Sequence, residues 1–306
     1  MPADRPLVSV VIPAYNRRDS VLALLADVYR QEGVSFEVIV VDDCSPDDTV
    51  AAIGTKYPAV KLFRNSANGG PAVSRNRGVR EASGEFIVGF DSDVTVPDPT
   101  LLRRVVETFQ KHPEATGLAF RLLEPDGKTD DAPRWWHPVP IDRYANERFS
   151  THYFSGTGYA FRRDAMMAAG LYPEILYMHY EEVELAFRIL DNDGTIMHCP
   201  DLPVLHHANP IASRSKIKVF YKPRNQVLVA LACYSWPRAI AYLIPRLVYN
   251  FGVSLIHRHP GEFLGAMASA RKLAPRILAA RSPLRAETWR RISRMRRGGA
   301  ATGLSS

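Results

Sequence analysis

Two rhythms alternate through the first ninety residues. Leu7-Val8-Ser9-Val10-Val11-Ile12 is a short β-branched run stopped by Pro13, which predicts a buried strand. Between Asp19 and Gln31 the apolar residues fall at 21, 22, 24, 25 and 28, the spacing of a helix face. Phe36-Glu37-Val38-Ile39-Val40-Val41 reads as a second strand ending on Asp42-Asp43. Residues 46–56 read as a helix with Ser45 as its cap. Val60 to Arg64 is a third strand, and Asn68-Gly69-Gly70-Pro71 is a loop opening a helix that runs to about Ala82. Glu85 to Phe90 is a fourth strand. This alternation predicts an α/β fold, a Rossmann-like, mostly parallel sheet with helices on both faces.

From about Phe109 to Asn209 the pattern is less regular. Glu124 to His137 is polar and ends in Trp135-Trp136-His137, which predicts a long loop. Ser155-Gly156-Thr157-Gly158, a short strand at Tyr159-Ala160-Phe161 and a helix from Asp164 follow. Residues 239–257 are apolar, but Pro245, Arg246 and Asn250 interrupt them, so a membrane-spanning helix is not expected.

In parallel sheets ligands bind beyond the carboxyl ends of the strands. Pro13-Ala14-Tyr15-Asn16, Asp42-Asp43-Cys44-Ser45 and Asp91-Ser92-Asp93 each follow a strand directly, so they should share one crevice. Asp91 and Asp93 would point to one face, where they repel unless a cation or water separates them. A solvated turn before Pro97-Asp98-Pro99 is the plainer alternative.

The net charge is +7 and unevenly spread. Residues 236–306 hold 13 Arg and Lys against two acids, Glu262 and Glu287, a charge of +11; residues 1–235 hold 26 against 30, or −4. Arg276, Arg281, Arg285, Arg290, Arg291, Arg294, Arg296 and Arg297 alternate with apolar residues and Trp289, predicting a basic amphipathic helical region. An anionic membrane surface is its expected partner; a homo-oligomer contact is the alternative, and nucleic acid is not expected. Three separated cysteines and an N-terminus without a signal-like apolar core point to the cytoplasm, with peripheral attachment to the inner face of the plasma membrane.

The motifs VSVVIPAYNR at 8–17, VIVVDDCSPDDT at 38–49, NGGPAVSRNRG at 68–78, FIVGFDSDV at 86–94 and YEEVELAFR at 180–188 occur in an order that resembles the family 2 glycosyltransferases of the GT-A fold. The resemblance covers roughly residues 7–210. It implies an inverting transfer of one sugar from a UDP- or dTDP-sugar donor to a hydroxyl of a glycan, lipid-linked or small-molecule acceptor. It implies a Mn²⁺ or Mg²⁺ cofactor, because a divalent cation collects the charge of the departing diphosphate.

The same resemblance assigns roles. Asp93 would bind the metal, and Asp91 would face the ribose or share the ion. His206 would add a further metal ligand; its neighbour His207 points the other way in an extended segment. Asp42 or Asp43 would accept a hydrogen bond from the base, with Pro13, Ala14 and Tyr15 lining its pocket. Arg75 would point to the nucleotide, or else serve as counter-charge to Asp42 or Asp91. The family's base is the Asp of a Glu-Asp pair; here the pair is Glu181-Glu182, so Glu182 is expected to be the base, with Glu181 as alternative. A purely helical role for these acids, beside the Glu184 and Arg188 pair, also fits. Trp135 and Trp136 are candidates for acceptor or sugar stacking, or for core packing. Gly156 and Gly158 would allow close approach near the donor sugar.

The expected organisation is a nucleotide-sugar half at 1–110, an acceptor half with the base at 111–210, and a helical, membrane-associating region at 211–306. Processive members carry Gln-x-x-Arg-Trp, which is absent here, so single transfer is expected. A polyprenyl-phosphate sugar synthase, a sugar nucleotidyltransferase and an inactive nucleotide-sugar or membrane-binding module are the rivals. The first strand lacks the Gly-rich phosphate loop of the nucleotidyltransferase.

Overall fold

The computed structural model describes residues 6–207 and 216–297. The chain begins β1 (Val8–Ala14), α1 (Arg18–Val28), β2 (Phe36–Asp42), α2 (Thr49–Lys56), β3 (Lys61–Arg64), α3 (Pro71–Glu81) and β4 (Phe86–Phe90). It continues β5 (Val94–Thr95), α4 (Leu101–Lys111), β6 (Gly117–Leu123), α5 (Ile141–Tyr144), β7 (Phe149–Thr151), β8 (Gly158–Arg162), α6 (Arg163–Ala168), α7 (Glu181–Asp191) and β9 (Ile196–His206). Then come α8 (Lys216–Cys233), α9 (Trp236–Ile256), α10 (Pro260–Ala279) and α11 (Ala286–Arg296).

Among the described residues nine strands form one sheet in the order β3-β2-β1-β4-β8-β6-β9-β5, with β7 also on β9. The half from β3 to β4 is wholly parallel. β8 then runs antiparallel between β4 and β6. The period-two pattern of β1 explains the layers. Val8, Val10 and Ile12 face Val21, Leu24, Leu25 and Val28 of α1 and Leu101, Leu102, Val105 and Phe109 of α4. Val11 faces the other way, against Ala72 and Val79 of α3 and Leu185, Ala186 and Ile189 of α7. Each such fully buried aliphatic side chain contributes about 1.5–3 kcal/mol, so the sheet is held firmly from both sides. Ser45 does not cap α2: Asp48 stands there, and Ser45 Oγ accepts the Asn16 N–H instead, at 2.9 Å.

A third core joins the C-terminal helices to α7. Phe187 and Leu190 pack with Leu228, Val229, Trp289, Ile292 and Met295, all buried. The basic region is therefore built into the fold through one face of α11. The interrupted apolar stretch forms one continuous helix. Pro245 sits inside α9, and Asn250 turns inward to donate to Gln226 Oε1 at 2.7 Å. With 21 residues, α9 is long and apolar enough to cross a membrane by length and composition, and little of it is covered.

Candidate active site

The parallel register sets the site. Ala14 pairs with Asp42 in β1 and β2, and β4 ends at Phe90, so the three special motifs leave adjacent strand ends together. They line a groove of about 280 Å³ with Pro13, Ala14, Tyr15, Arg17, Asp43, Gly70, Asp91 and Asp93 on its walls, closed by Tyr177 and Met178. Tyr15 is about half exposed along it.

The two acids at the end of β2 divide. Asp42 is fully buried; its Oδ2 accepts the Ser45 N–H at 3.1 Å and lies 3.4 Å from Arg64 Nε. Asp43 faces the groove. Its carboxylate accepts from Asn65 Nδ2, from the Gly69 N–H at 3.1 Å and from the Gly70 N–H at 2.8 Å. Gly70 can present that N–H because it has φ +82, and a Cβ there would strike Tyr177. A carboxylate offers about four acceptor sites, so Asp43 keeps capacity for one further donor.

At the inner end, Arg75 gathers three carboxylates. Its Nη2 donates to Asp91 Oδ1 at 2.6 Å, and its Nη1 lies 3.3 Å from Glu181 Oε1 and 3.5 Å from Glu182 Oε1. Burial opposes its charge, yet Asp91, Tyr172 and Glu182 raise its pKa well above the ordinary value. Burial likewise opposes the Asp91 charge, but Arg75, His206 and Thr157 hold its pKa below the usual range. One guanidinium cannot neutralise three acids. Burial and then the charge of Glu182 push Glu181 well up, and burial raises Glu182 against the pull of Arg75. Glu181 Oε2 is buried without a donor. Two carboxyls so close cannot both ionise freely, and a proton shared on Glu181 leaves Glu182 as the anion facing Arg75. Gly156 makes room for this pair: a Cβ there would sit 2.1 Å from Arg75 Nη2 and 2.7 Å from Glu182 Oε1. Gly158, by contrast, is crowded by Val204 and Phe120.

Asp93 meets His206 at the groove's edge, with Nε2 3.8 Å from Asp93 Oδ1. His206 Nδ1 donates to the buried Asp131 Oδ2 at 2.7 Å, so its Nε2 is left to face Asp93. A ring oriented by a carboxylate in this way is how proteins prepare a metal-binding imidazole. His207 turns away to Thr95 Oγ1, as adjacent extended residues must. Among the described residues no group of three His, Cys, Asp or Glu forms a metal cage. The donors present fit a cation that takes its other ligands from phosphates and water, the habit of Mg²⁺ and its kin.

Trp135 and Trp136 part company. Trp135 Nε1 donates to Val139 O, and the ring packs against His137, Phe149 and His198. Trp136 is partly exposed and contacts Tyr153 and Tyr180.

Several residues escaped sequence reasoning. Asp131 orients His206 from the polar loop that follows β6. Tyr177, His179 and Tyr180, just before Glu181, have φ of 64, 66 and 72. Left-handed backbone at such residues is costly and persists only when its surroundings hold it. Asn225 of α8 holds it here, with Nδ2 donating to the carbonyls of Leu176, Met178 and His179, while Arg224 donates to Leu176 O. The pattern of glycosyl transferase family 2 matches residues 9–169 of this chain.

The chain belongs to glycosyl transferase family 2. The succinoglycan biosynthesis protein ExoO of Rhizobium meliloti is 43% identical over 103 residues, 33% of this chain and 29% of ExoO. The chain spans about a third of the length of the first curated relatives it matches. Among solved structures, the mannosyltransferase PcManGT of Pyrobaculum calidifontis, in complex with GDP-Man and Mn²⁺, superposes with a TM-score of 0.61 at 20% identity, over 96% of this chain and 85% of that one. S. aureus TarS 1-349 with UDP-GlcNAc gives 0.63 at 19%, over 90% and 83%. These likenesses establish the GT-A fold of the family.

Proposed function

We propose that this family 2 protein is a metal-dependent, inverting glycosyltransferase that moves a single sugar from a UDP- or dTDP-sugar to an acceptor hydroxyl. The observation that carries the reading is the convergence of Asp91, Glu181 and Glu182 on the buried Arg75 at the inner end of a groove whose rim holds Asp93 and His206.

Each residue then has a task. Asp43, held by the Gly69 and Gly70 amides, accepts the imide N–H of the base, and Pro13, Ala14 and Tyr15 flank the ring. Asp91 faces the ribose and stays ionised through Arg75. Asp93 and His206 would hold Mn²⁺ or Mg²⁺, which stabilises charge on the leaving diphosphate. The acceptor oxygen forms a bond to the anomeric carbon as the bond to the diphosphate oxygen breaks, and the hydroxyl proton passes to Glu182. Its raised pKa makes Glu182 a stronger base than a solvated glutamate, and Arg75 keeps it ionised. The Asn225 clamp and the left-handed turn aim it. Solved relatives in complex with GDP-Man and Mn²⁺ or with UDP-GlcNAc support a nucleotide-sugar donor and a divalent metal.

The test is a thermal-shift screen of nucleotide sugars with Mn²⁺, followed by transfer assays with the best donor. A selective upward shift and turnover abolished by excess chelator are expected. Full turnover in chelator would refute the metal, and no shift with any nucleotide sugar would refute the donor site. The exposed face of α9 favours a second reading within the same chemistry, attachment at a membrane with a lipid-linked acceptor.

A further inference from the structure

A second cavity, of about 350 Å³, lies outside the groove, between the start of α7 and helices α8 and α9. Trp136, Tyr180, Lys222, Gln226, Arg246 and Tyr249 are its principal walls. Four observations give it a character.

It is cationic without compensation. Lys222 is half-buried, and neither it nor Arg246 is in an ion pair among the described residues. Burial, then Lys218 and Arg246, lower the Lys222 pKa, and Lys218, Lys222 and Arg134 add to burial in lowering that of His179. A protein that gathers positive groups around a concavity and supplies no acid leaves the counter-charge to a ligand.

It is built. Gln226 is buried; its Nε2 donates to Tyr180 Oη at 2.6 Å, and its Oε1 accepts from Asn250 Nδ2 at 2.7 Å. This chain of bonds fixes the floor between α7, α8 and α9.

It adjoins the chemistry. Tyr180 immediately precedes Glu181, and Trp136 contacts both Tyr180 and Tyr153. Burial and then the Glu182 charge raise the Tyr153 pKa, which places that hydroxyl within the field of the base.

It opens onto an apolar surface. Trp236, Ile240, Ile244 and Val248 recur every four residues on α9 and are 52–70% exposed; Tyr249, at 65%, belongs both to this surface and to the cavity wall. A continuous row of this kind on a helix of a +11 segment is rare on a surface that meets only water.

We propose that this second cavity binds the phosphate of an amphipathic acceptor, with Lys222 and Arg246 as its counter-charges and Trp136 and Tyr249 against its organic part, while the apolar chain lies along the exposed row of α9. The inference rests on the glycosyltransferase reading and names its acceptor class: a lipid-linked glycan phosphate, whose sugar supplies the hydroxyl that Glu182 deprotonates. The acceptor would enter from the membrane side, and the donor from the strand-end groove.

The experiment is calorimetric titration of the full chain with dodecyl phosphate below its micelle concentration, with inorganic phosphate, and with dodecyl maltoside. Dodecyl phosphate should bind about tenfold or more tightly than either of the others, because it alone offers both charge and chain. Lys222→Gln with Arg246→Gln should weaken it about tenfold. Tyr249→Ser, at an exposed position that does not threaten folding, should weaken dodecyl phosphate and leave inorganic phosphate unchanged. Equal binding of dodecyl maltoside would overturn the phosphate role, and equal binding of inorganic phosphate the amphipathic one. Undiminished binding by both sets of variants would show adsorption on α9 alone and overturn the site. UDP binding with Mn²⁺ should be unchanged in these variants; its absence in the parent chain would count against the donor groove and leave the cavity result standing.

Discussion

Gly156 is the smallest handle on the site. A methyl group there would lie 2.1 Å from Arg75 Nη2, 2.7 Å from Arg75 Cζ and 2.7 Å from Glu182 Oε1. Ordinary contact begins near 3.4 Å, so in Gly156→Ala the guanidinium must retreat by about 1 Å or more. It has little freedom to do so: it is buried and tied to Asp91 at 2.6 Å and to both glutamates. The backbone itself tolerates alanine, since Gly156 has no positive φ. The expected cost in stability is that of overpacking, about 1–3 kcal/mol. The cost in rate is larger, because a displacement of about 1 Å in a catalytic group lowers turnover by about 10²-fold. Gly156 does not line the donor groove, so the affinity for UDP and Mn²⁺ should stay near that of the parent chain. The assay pairs steady-state transfer kinetics with calorimetric UDP binding and a thermal melt. A variant with parental kcat and an unchanged melting temperature would refute the claim that Arg75 and Glu182 form one tightly fitted unit.

Glu182 has a raised pKa and is proposed to act as its anion, so kcat/KM should fall as pH drops through a value above the usual glutamate 4.5. Arg75→Gln should move that acid limb further upward, and a limb at or below 4.5 would contradict the assignment. The sign for stability follows from linkage: Glu181 favours folding when protonated, so its contribution is full below about pH 4.5 and declines as pH rises through its raised pKa. Melting temperatures of Glu181→Gln should accordingly fall less steeply than those of the parent chain as pH rises. Asp131→Asn should weaken Mn²⁺ binding about 10–100-fold, measured by paramagnetic resonance titration in the presence of UDP; unchanged affinity would remove His206 from the metal site. Asn225→Ala deprives the turn before Glu181 of its clamp and should cost about 1–3 kcal/mol in chemical denaturation, with a larger loss in kcat than in UDP affinity; loss of UDP affinity alone would contradict that role.

The residues that could be read in advance were those whose signal is local. Val8, Val10 and Val11 declare a buried strand by alternation alone, and the motifs after β1, β2 and β4 must converge because parallel strands end together. The opposite orientations of His206 and His207 follow from the same period. An arginine after a Gly-Gly-Pro loop suits either a nucleotide contact or a counter-charge, and the structure places Arg75 against Asp91, Glu181 and Glu182. Distances along the chain explain what was not legible. Asp131 reaches His206 across 75 residues, and Asn225 reaches the 176–179 carbonyls across 46 to 49. A polar loop residue and an asparagine inside a helix carry no mark of such partners. The role of Asn250 in α9 was not legible either, because a polar residue in an apolar stretch does not reveal that its side chain is satisfied internally by Gln226 and the Arg246 carbonyl.

The central claim is that Glu182, not Glu181, takes the acceptor proton in a groove that binds the donor independently. Single-turnover transfer at saturating nucleotide sugar and Mn²⁺, compared between Glu182→Gln and Glu181→Gln, tests it most directly. The account predicts a loss of about 10²–10⁴-fold for Glu182→Gln with near-parental UDP affinity, and a much smaller loss for Glu181→Gln, whose side chain already behaves as the neutral partner. The reverse order of the two effects, or full turnover by Glu182→Gln, would contradict it.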